Sequence, residues 1–314
     1  MPAKWVAIFS LALAVACGAF AQDIFELVRT GDSDRVSAAL AAGVSVLRRD
    51  ANGATPLMIA AAYGRDARTI DLLVKAGDSV EDRDGAGLTA LMYAARHNPD
   101  AAFCARLIAA GAAVNELSYY RETPLILAAM GNHSPAVVRS LIEAGASVDA
   151  RDINGMTPLM LAAQYVNLPA LAALIAAGAD VNAIEPDELC SPIIFAAYYD
   201  DDPKAVAELL AAGAKVDVRG PNGYTPLMYA LRTDKKIAVV EPLLAAELKI
   251  APRSITGLDR ALSFAARYDH DPAVFELLVK AGANPEACDD SGVSAREYAR
   301  ENPALGKYPI PGGK

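Results

Sequence analysis

One stretch, Gly155-Met156-Thr157-Pro158-Leu159-Met160-Leu161-Ala162-Ala163, returns along most of the chain and leaves few folds open to it. Thr55, Thr89, Thr123, Thr157, Ser191 and Thr225 stand 34 residues apart, each followed by Pro or Ala and then an apolar pair. A second marker keeps nearly the same period. Apolar runs close on Gly43, Gly77, Gly111, Gly145, Gly178, Gly213 and Gly282, and Glu247 stands where one more glycine is due. A fixed period of this length marks a repeat architecture, in which each unit buries its apolar face only against its neighbours.

The chemistry of one period predicts a helix-turn-helix. Gly155 supplies the backbone freedom of a tight turn, Thr157 caps a helix, and Pro158 opens it at the first helical position. Ala162 and Ala163 keep that helix thin, so that its neighbours approach at the short end of the usual ~8–10 Å. The second helix carries Leu171, Leu174 and Ile175 at helical spacing and stops at Gly178, a residue suited to a left-handed C-cap. An extended arm, residues 179–183, leads to the next turn.

The combination Gly-x-Thr-Pro-Leu-x-x-Ala-Ala with Leu-(Leu/Ile)-x-x-Gly-Ala-x-Val resembles the ankyrin repeat, of the kind found in exported bacterial proteins. The resemblance covers residues 22–302. It implies an all-α solenoid of stacked helix-turn-helix repeats with short hairpin-like arms. The expected order is an N-terminal cap (23–50), seven repeats (51–290) opening at Thr55, Thr89, Thr123, Thr157, Ser191, Thr225 and Arg260, a C-terminal cap (291–302) and a flexible tail (303–314). One departure is systematic. Where the family carries His after Thr-Pro-Leu, this chain has Met58, Met92, Ile126, Met160, Ile194, Met228 and Ser263. Apolar packing, with Met filling irregular gaps, is expected to replace the histidine's hydrogen bonds.

Composition agrees with an elongated array. Hydrophobic residues make up 54% of the chain and aromatics only 6%, which suits a core of Ala, Leu, Ile and Val. The formal charge is −9, and −10 without residues 1–21, whose one charged side chain is Lys4. No basic stripe is present, which argues against a nucleic-acid surface. Residues 1–21 read as a secretory signal peptide: Lys4, an apolar run over 5–16, and Ala19-Phe20-Ala21 as the cleavage site. A rival reading takes Ala14-Val15-Ala16-Cys17 as a lipoprotein signal with a lipid anchor at Cys17. The first places the mature chain in the periplasm or outside the cell, the second on a membrane, and in both no membrane span follows the signal.

Little in the chain points to catalysis, and no catalytic residue, metal ligand or cofactor is assigned. It has no phosphate-cradling glycine loop, paired-His metal helix or Gly-x-Ser-x-Gly turn. His97, His133 and His270 fall in three different repeats and form no common site. The acidic group Asp187, Glu188, Asp200, Asp201 and Asp202 lacks the alternating ligands of a calcium loop and reads as a solvated loop with an N-cap at Asp202. Cys104 is expected to be buried, Cys190 to be an exposed thiol, and no internal disulfide is expected.

What remains is surface. In the family, the positions after each Ala-Ala line a concave groove. Here they give Tyr63, Arg96, His97, Gln164, Tyr165, Tyr198, Tyr199, Arg232, Arg267 and Tyr268 as candidate contacts, rich in the Tyr and Arg that dominate interfaces. Tyr119 and Tyr120, on one arm tip, join them: either they fold over Ile153 or they form a binding edge. The resulting expectation is a monomeric, non-catalytic protein-binding array. An envelope scaffold is the alternative, and a metal-dependent enzyme a more distant one.

Overall fold

The computed structural model describes residues 23–30, 32–233, 237–250, 255–268 and 271–306. The signal region with Cys17, His270 and the chain beyond Gly306 lie outside them. Among the described residues the regular structure is helical: α1 (Ile24–Thr30), α2 (Ser33–Ala41), α3 (Pro56–Tyr63), α4 (Arg68–Lys75), α5 (Ala90–His97), α6 (Ala101–Ala109), α7 (Pro124–Gly131), α8 (Pro135–Glu143), α9 (Pro158–Gln164), α10 (Leu168–Ala176), α11 (Pro192–Tyr199), α12 (Pro203–Ala211), α13 (Pro226–Arg232), α14 (Ile237–Ile250), α15 (Ile255–Tyr268), α16 (Pro272–Lys280) and α17 (Ala295–Glu301). A single isolated bridge, Cys288 to Ser294, is the only β pairing among them.

The chain forms two compact units, divided between Ile153 and Asn154. In the first, α1, α3, α5 and α7 stack on one another, and α2, α4, α6 and α8 stack beside them. In the second, α9, α11, α13, α15 and α17 form one row and α10, α12, α14 and α16 the other. The first helices carry the core. Every residue from Pro56 to Ala62 is buried, and the alanine pairs Ala60-Ala61, Ala94-Ala95, Ala128-Ala129, Ala162-Ala163, Ala196-Ala197 and Ala265-Ala266 are almost fully enclosed. The second helices bury one stripe each, such as Ile70 and Leu73 in α4 or Val206 and Leu209 in α12.

The Thr-Pro openings behave as caps. The hydroxyls of Thr55, Thr123, Thr157 and Thr225 accept the backbone N–H three residues on. The methionine series does more than fill space. The sulfurs of Met58, Met92 and Met160 lie 3.3–3.4 Å from the backbone nitrogens of Thr55, Thr89 and Thr157 and accept their N–H bonds. This corrects the expectation of purely apolar replacement: thioether sulfur is a weak acceptor, and here it occupies the place of a side-chain acceptor in a capping box. At the last opening the box is built from oxygen, with Ser294 and Glu297 exchanging bonds at 2.8 and 3.3 Å.

The missing glycine has a visible consequence. With Glu247 in its place, α14 runs on to Ile250 instead of stopping in a left-handed turn. The following helix, α15, begins at Ile255, ahead of Arg260, because no Thr-Pro cap fixes its start there.

Layers are tied together by buried asparagine amides. Asn98 donates from Nδ2 to the carbonyls of Ala61 and Gly64 at 3.0 and 3.3 Å. Asn132 repeats this one layer on, to Ala95 and Asn98 at 2.9 and 2.7 Å. In the second unit Asn302 donates to Ala266 at 3.0 Å. Each bond satisfies carbonyls that the preceding first helix leaves open at its C-terminus. The arm tips have a tie of their own: Arg49 reaches the carbonyls of Gly53 and Arg83 and the carboxylate of Asp82, and Arg83 reaches Gly87, Leu117 and Glu116.

Asp78 occupies the position that is Val44 in the preceding unit and Ala112 in the following one, and its Oδ2 accepts the Leu57 N–H at 2.8 Å at the start of α3. Burial pushes its pKa up to about 6, against the lowering effect of that bond. A carboxyl raised in this way favours the fold when protonated. Its contribution is full below the ordinary value of 3.8 and is lost as pH rises through about 6.

Two outcomes follow. Asn98→Ala leaves two buried carbonyls without a partner and is expected to lower unfolding free energy by roughly 2–3 kcal/mol in urea titration, whereas Asn115→Ala, at an exposed site, should cost under about 1 kcal/mol. The melting temperature of Asp78→Asn should gain on wild type as pH is raised from about 4 to about 8; a difference independent of pH would show that Asp78 titrates normally.

Candidate functional site

The site is built from two positions on each first helix and one on each tip. The tips are shaped by a short acceptor side chain that closes on its own loop. Asp50 accepts the N–H groups of Asn52 and Ala54, Asp84 those of Ala86 and Leu88, Ser118 those of Tyr120 and Glu122, and Asp289 those of Ser291 and Val293. At one tip a glutamate does this: Glu185 accepts from Asp187, Glu188 and Cys190 at 2.7–3.1 Å. Glu185, Glu188 and Cys190 have the donor types of a metal site. The carboxylate of Glu185 is already filled by three N–H groups, so its evident role is to fasten the tip.

In the first unit, Tyr63 and His97 face each other with ring centroids 5.6 Å apart, and the Arg29 guanidinium lies 5.3 Å from the Tyr63 ring. Tyr93 adds a third ring 6.4 Å from His97, and its hydroxyl donates to Asp84 at 2.8 Å. Burial, and then the charge of Arg96, hold the His97 pKa below its ordinary value, so this imidazole is neutral at physiological pH. The Arg96 stem packs against Gly131, where an added Cβ would sit 3.4 Å from it. Tyr119 lies over Gly87 of the preceding tip and remains 65% exposed, while Tyr120 is 58% exposed. The two tips meet through the backbone, where the Ile153 N–H donates to the Tyr120 carbonyl at 2.9 Å.

In the second unit the rings join into a continuous series. Tyr199 meets Tyr198 at 4.8 Å, Tyr198 meets Tyr229 at 6.0 Å, Tyr229 meets Tyr224 at 5.8 Å, Tyr224 meets Phe264 at 4.8 Å and Phe264 meets Tyr268 at 5.7 Å. Most pairs are edge-on, the arrangement the ring quadrupole favours, and each is worth about 0.5–1.5 kcal/mol beyond its burial. Arg267 closes the series, its guanidinium 5.1 Å from Tyr268 and 5.3 Å from Tyr298. Two clefts open along it between tips and first helices. One, of about 240 Å³, is lined by Glu188, Cys190, Phe195, Tyr198, Tyr229 and Arg232 among others; the second, of about 150 Å³, by Tyr224, Phe264, Arg267, Tyr268, Asp289 and Tyr298 among others.

Gln164 and Tyr165 stand apart from this series. Tyr165 follows the end of α9, and Val166 beyond it takes φ 56°, a left-handed conformation rare for a β-branched residue. The chain turns away there, and among the described residues no ring contact joins Tyr165 to the others.

The sequence reading missed Phe195, Tyr229, Phe264 and Tyr298. They stand at the fourth position after Ser191, Thr225, Arg260 and Ser294, one per layer, a column visible once the repeats are aligned on their openings. It also missed how the column is held. The Tyr229 hydroxyl donates to the Pro221 carbonyl at 3.0 Å, and that of Tyr298 to Asp289 at 2.9 Å. Gly220 makes room, since a Cβ there would come within 2.9 Å of the Tyr229 hydroxyl.

Cys190 corrects the expectation of an exposed thiol. It is only 5% exposed, under the tip held by Glu185, and burial followed by the charges of Glu185 and Glu188 pushes its pKa up to about 12. Cys104 is buried as expected, Cys288 is the exposed one, and all three are free. At pH 7.5 a maleimide should label Cys288 within minutes and leave Cys104 and Cys190 untouched until the protein is unfolded; rapid labelling of Cys190, read by peptide mass spectrometry, would contradict its placement.

Asp202 caps α12, accepting the Lys204 N–H at 3.0 Å, and buried Asp200 accepts from Asp202 at 2.8 Å. The acidic group is therefore engaged in shaping this loop.

A search of curated proteins finds no match to this chain. The family model for ankyrin repeats (3 copies) matches residues 24–116, 98–185 and 193–289, three spans that take in nearly all of the helical rows described above. With that breadth of match and the layered helix pairs, the chain belongs to the ankyrin repeat family.

Proposed function

We propose that this chain is a non-catalytic protein-binding array, and that its principal contact surface is the aromatic and arginine face of the second unit. Ankyrin repeats generally mediate protein–protein interaction. The observation that carries the reading here is the unbroken ring series from Tyr199 to Tyr268, ending in Arg267. Tyr and Arg on rigid helices supply large contact area at low entropic cost. Tyr198, Tyr199, Arg232, Arg267 and Tyr268 are the contacts proposed in that unit, with Tyr63, Arg96 and His97, and the tip tyrosines Tyr119 and Tyr120, as a separate surface on the first.

We further propose an exported protein, on the strength of Lys4, the apolar run after it and Ala19-Phe20-Ala21. Among the described residues no helix is long and apolar enough to cross a membrane. Cleavage after Ala21 would leave Gln22 at the N-terminus; lipidation would leave Cys17 there, and intact mass separates the two.

Affinity capture with wild type and with Tyr198→Ala/Tyr199→Ala tests the binding reading. The double variant is expected to lose a captured partner by at least about tenfold while keeping its helical circular dichroism. A partner retained at full strength would remove this face from the interface, and a loss of helicity would assign the two tyrosines to packing.

A further inference from the structure

The clefts of the second unit have a chemistry more specific than protein binding in general. Resting on that reading, we infer that they take an extended polyproline II segment of a partner, with prolines three residues apart and a carboxylate beside them. Tyr198, Tyr224, Phe264, Tyr268 and Tyr298 are half-buried and Tyr199 is exposed, presented between first helices and tips, while Phe195 and Tyr229 are buried beneath them. The hydroxyl of Tyr298 is already bonded to its own tip, so this residue offers its ring rather than its hydroxyl to a ligand, and buried Tyr229, bonded to the Pro221 carbonyl, backs the accessible rings. Proline rings pack well against such surfaces, and aromatic-lined grooves are a known way of holding this conformation.

Spacing supports the same occupant. A polyproline II helix advances ~3.1 Å per residue and completes a turn in three, so equivalent side chains recur every ~9.3 Å. Stacked helices recur every ~8–10 Å. Every third residue of the ligand therefore meets the next layer, in the order Tyr198 and Tyr199, then Tyr224, then Phe264 and Tyr268. An α-helical ligand advances ~5.4 Å per turn, which does not match the period of the layers. A polyproline ligand also has no internal hydrogen bonds to lose and little conformational entropy to surrender.

Charge sets the flanking residue. Arg267 is spread over the Tyr268 and Tyr298 rings, and Arg260 pairs with Asp290 at 3.8 Å. Arg232, which lines the larger cleft, is exposed and makes no hydrogen bond or ion pair among the described residues. A carboxylate on the ligand suits it.

The test uses the full chain and fluorescein-labelled synthetic peptides, read by anisotropy. One peptide has proline at every third position and a single Glu; the controls are a scramble of the same composition, an amphipathic helical peptide of equal charge, and the proline peptide with Glu replaced by Gln. The proline peptide is expected to bind at least about tenfold tighter than the scramble and the helix. Arg232→Ala should erase the preference for Glu over Gln, and Tyr199→Ala should weaken both proline peptides, with circular dichroism unchanged in each variant. Equal binding of the scramble, tighter binding of the helix, no binding of the proline peptide, or indifference to both substitutions would overturn the inference. Failure here together with a captured partner that still depends on Tyr198 and Tyr199 would sink the polyproline ligand alone; absence of any such partner would sink the protein-binding reading as well.

Discussion

The structure depends on one packing constraint, the close approach of each first helix to the next. Alanine pairs stand at the same two places in every first helix from α3 to α15 except α13, where the second is Leu231, and the buried asparagine amides use the closeness they allow to reach across a layer. Asn132, for example, bonds to the carbonyls of Ala95 and Asn98 one repeat back. A helix of eight residues is marginal alone. Here each is held by the row it belongs to, with the second helices and tips bonded outward from it.

The proposed contact face is a by-product of that row. Once the openings are in register, the fourth residue after each opening falls beside the tips, and in the second unit that residue is Leu161 in α9 and then Phe195, Tyr229, Phe264 and Tyr298 in turn. Tyr93 holds the equivalent place in the first unit and bonds to Asp84 as Tyr298 bonds to Asp289. The same interaction that positions a tip therefore stiffens a ring, so that a ligand meets a surface already ordered.

Much of this was legible in the residues. Thr-Pro openings, Gly closures and the alanine pairs dictate the helices and their order because each acts locally, through a cap, a left-handed turn or a steric limit. Asp202, Asp271 and Pro272 start their helices as their types require. The site was legible only in part. Tyr198, Tyr199, Arg267 and Tyr268 are joined in one series, but Tyr165 is turned away by Val166, whose left-handed conformation has no signature in the sequence. Cys190 was misplaced because its burial comes from Glu185 folding a tip over it, a tertiary effect. The sulfur acceptors and the asparagine ties were missed for a related reason: both are hydrogen bonds between a side chain and a backbone group whose availability is set by the stacking itself.

The dependence of the whole on layer-to-layer ties is tested most directly by hydrogen exchange on Asn132→Ala, read by mass spectrometry. The expected result is a loss of protection in both α5 and α7, the helices on either side of the broken bond, with α1 close to wild type. Loss confined to the loop around Asn132, with α5 and α7 still protected, would contradict the claim that the buried amides hold the layers together.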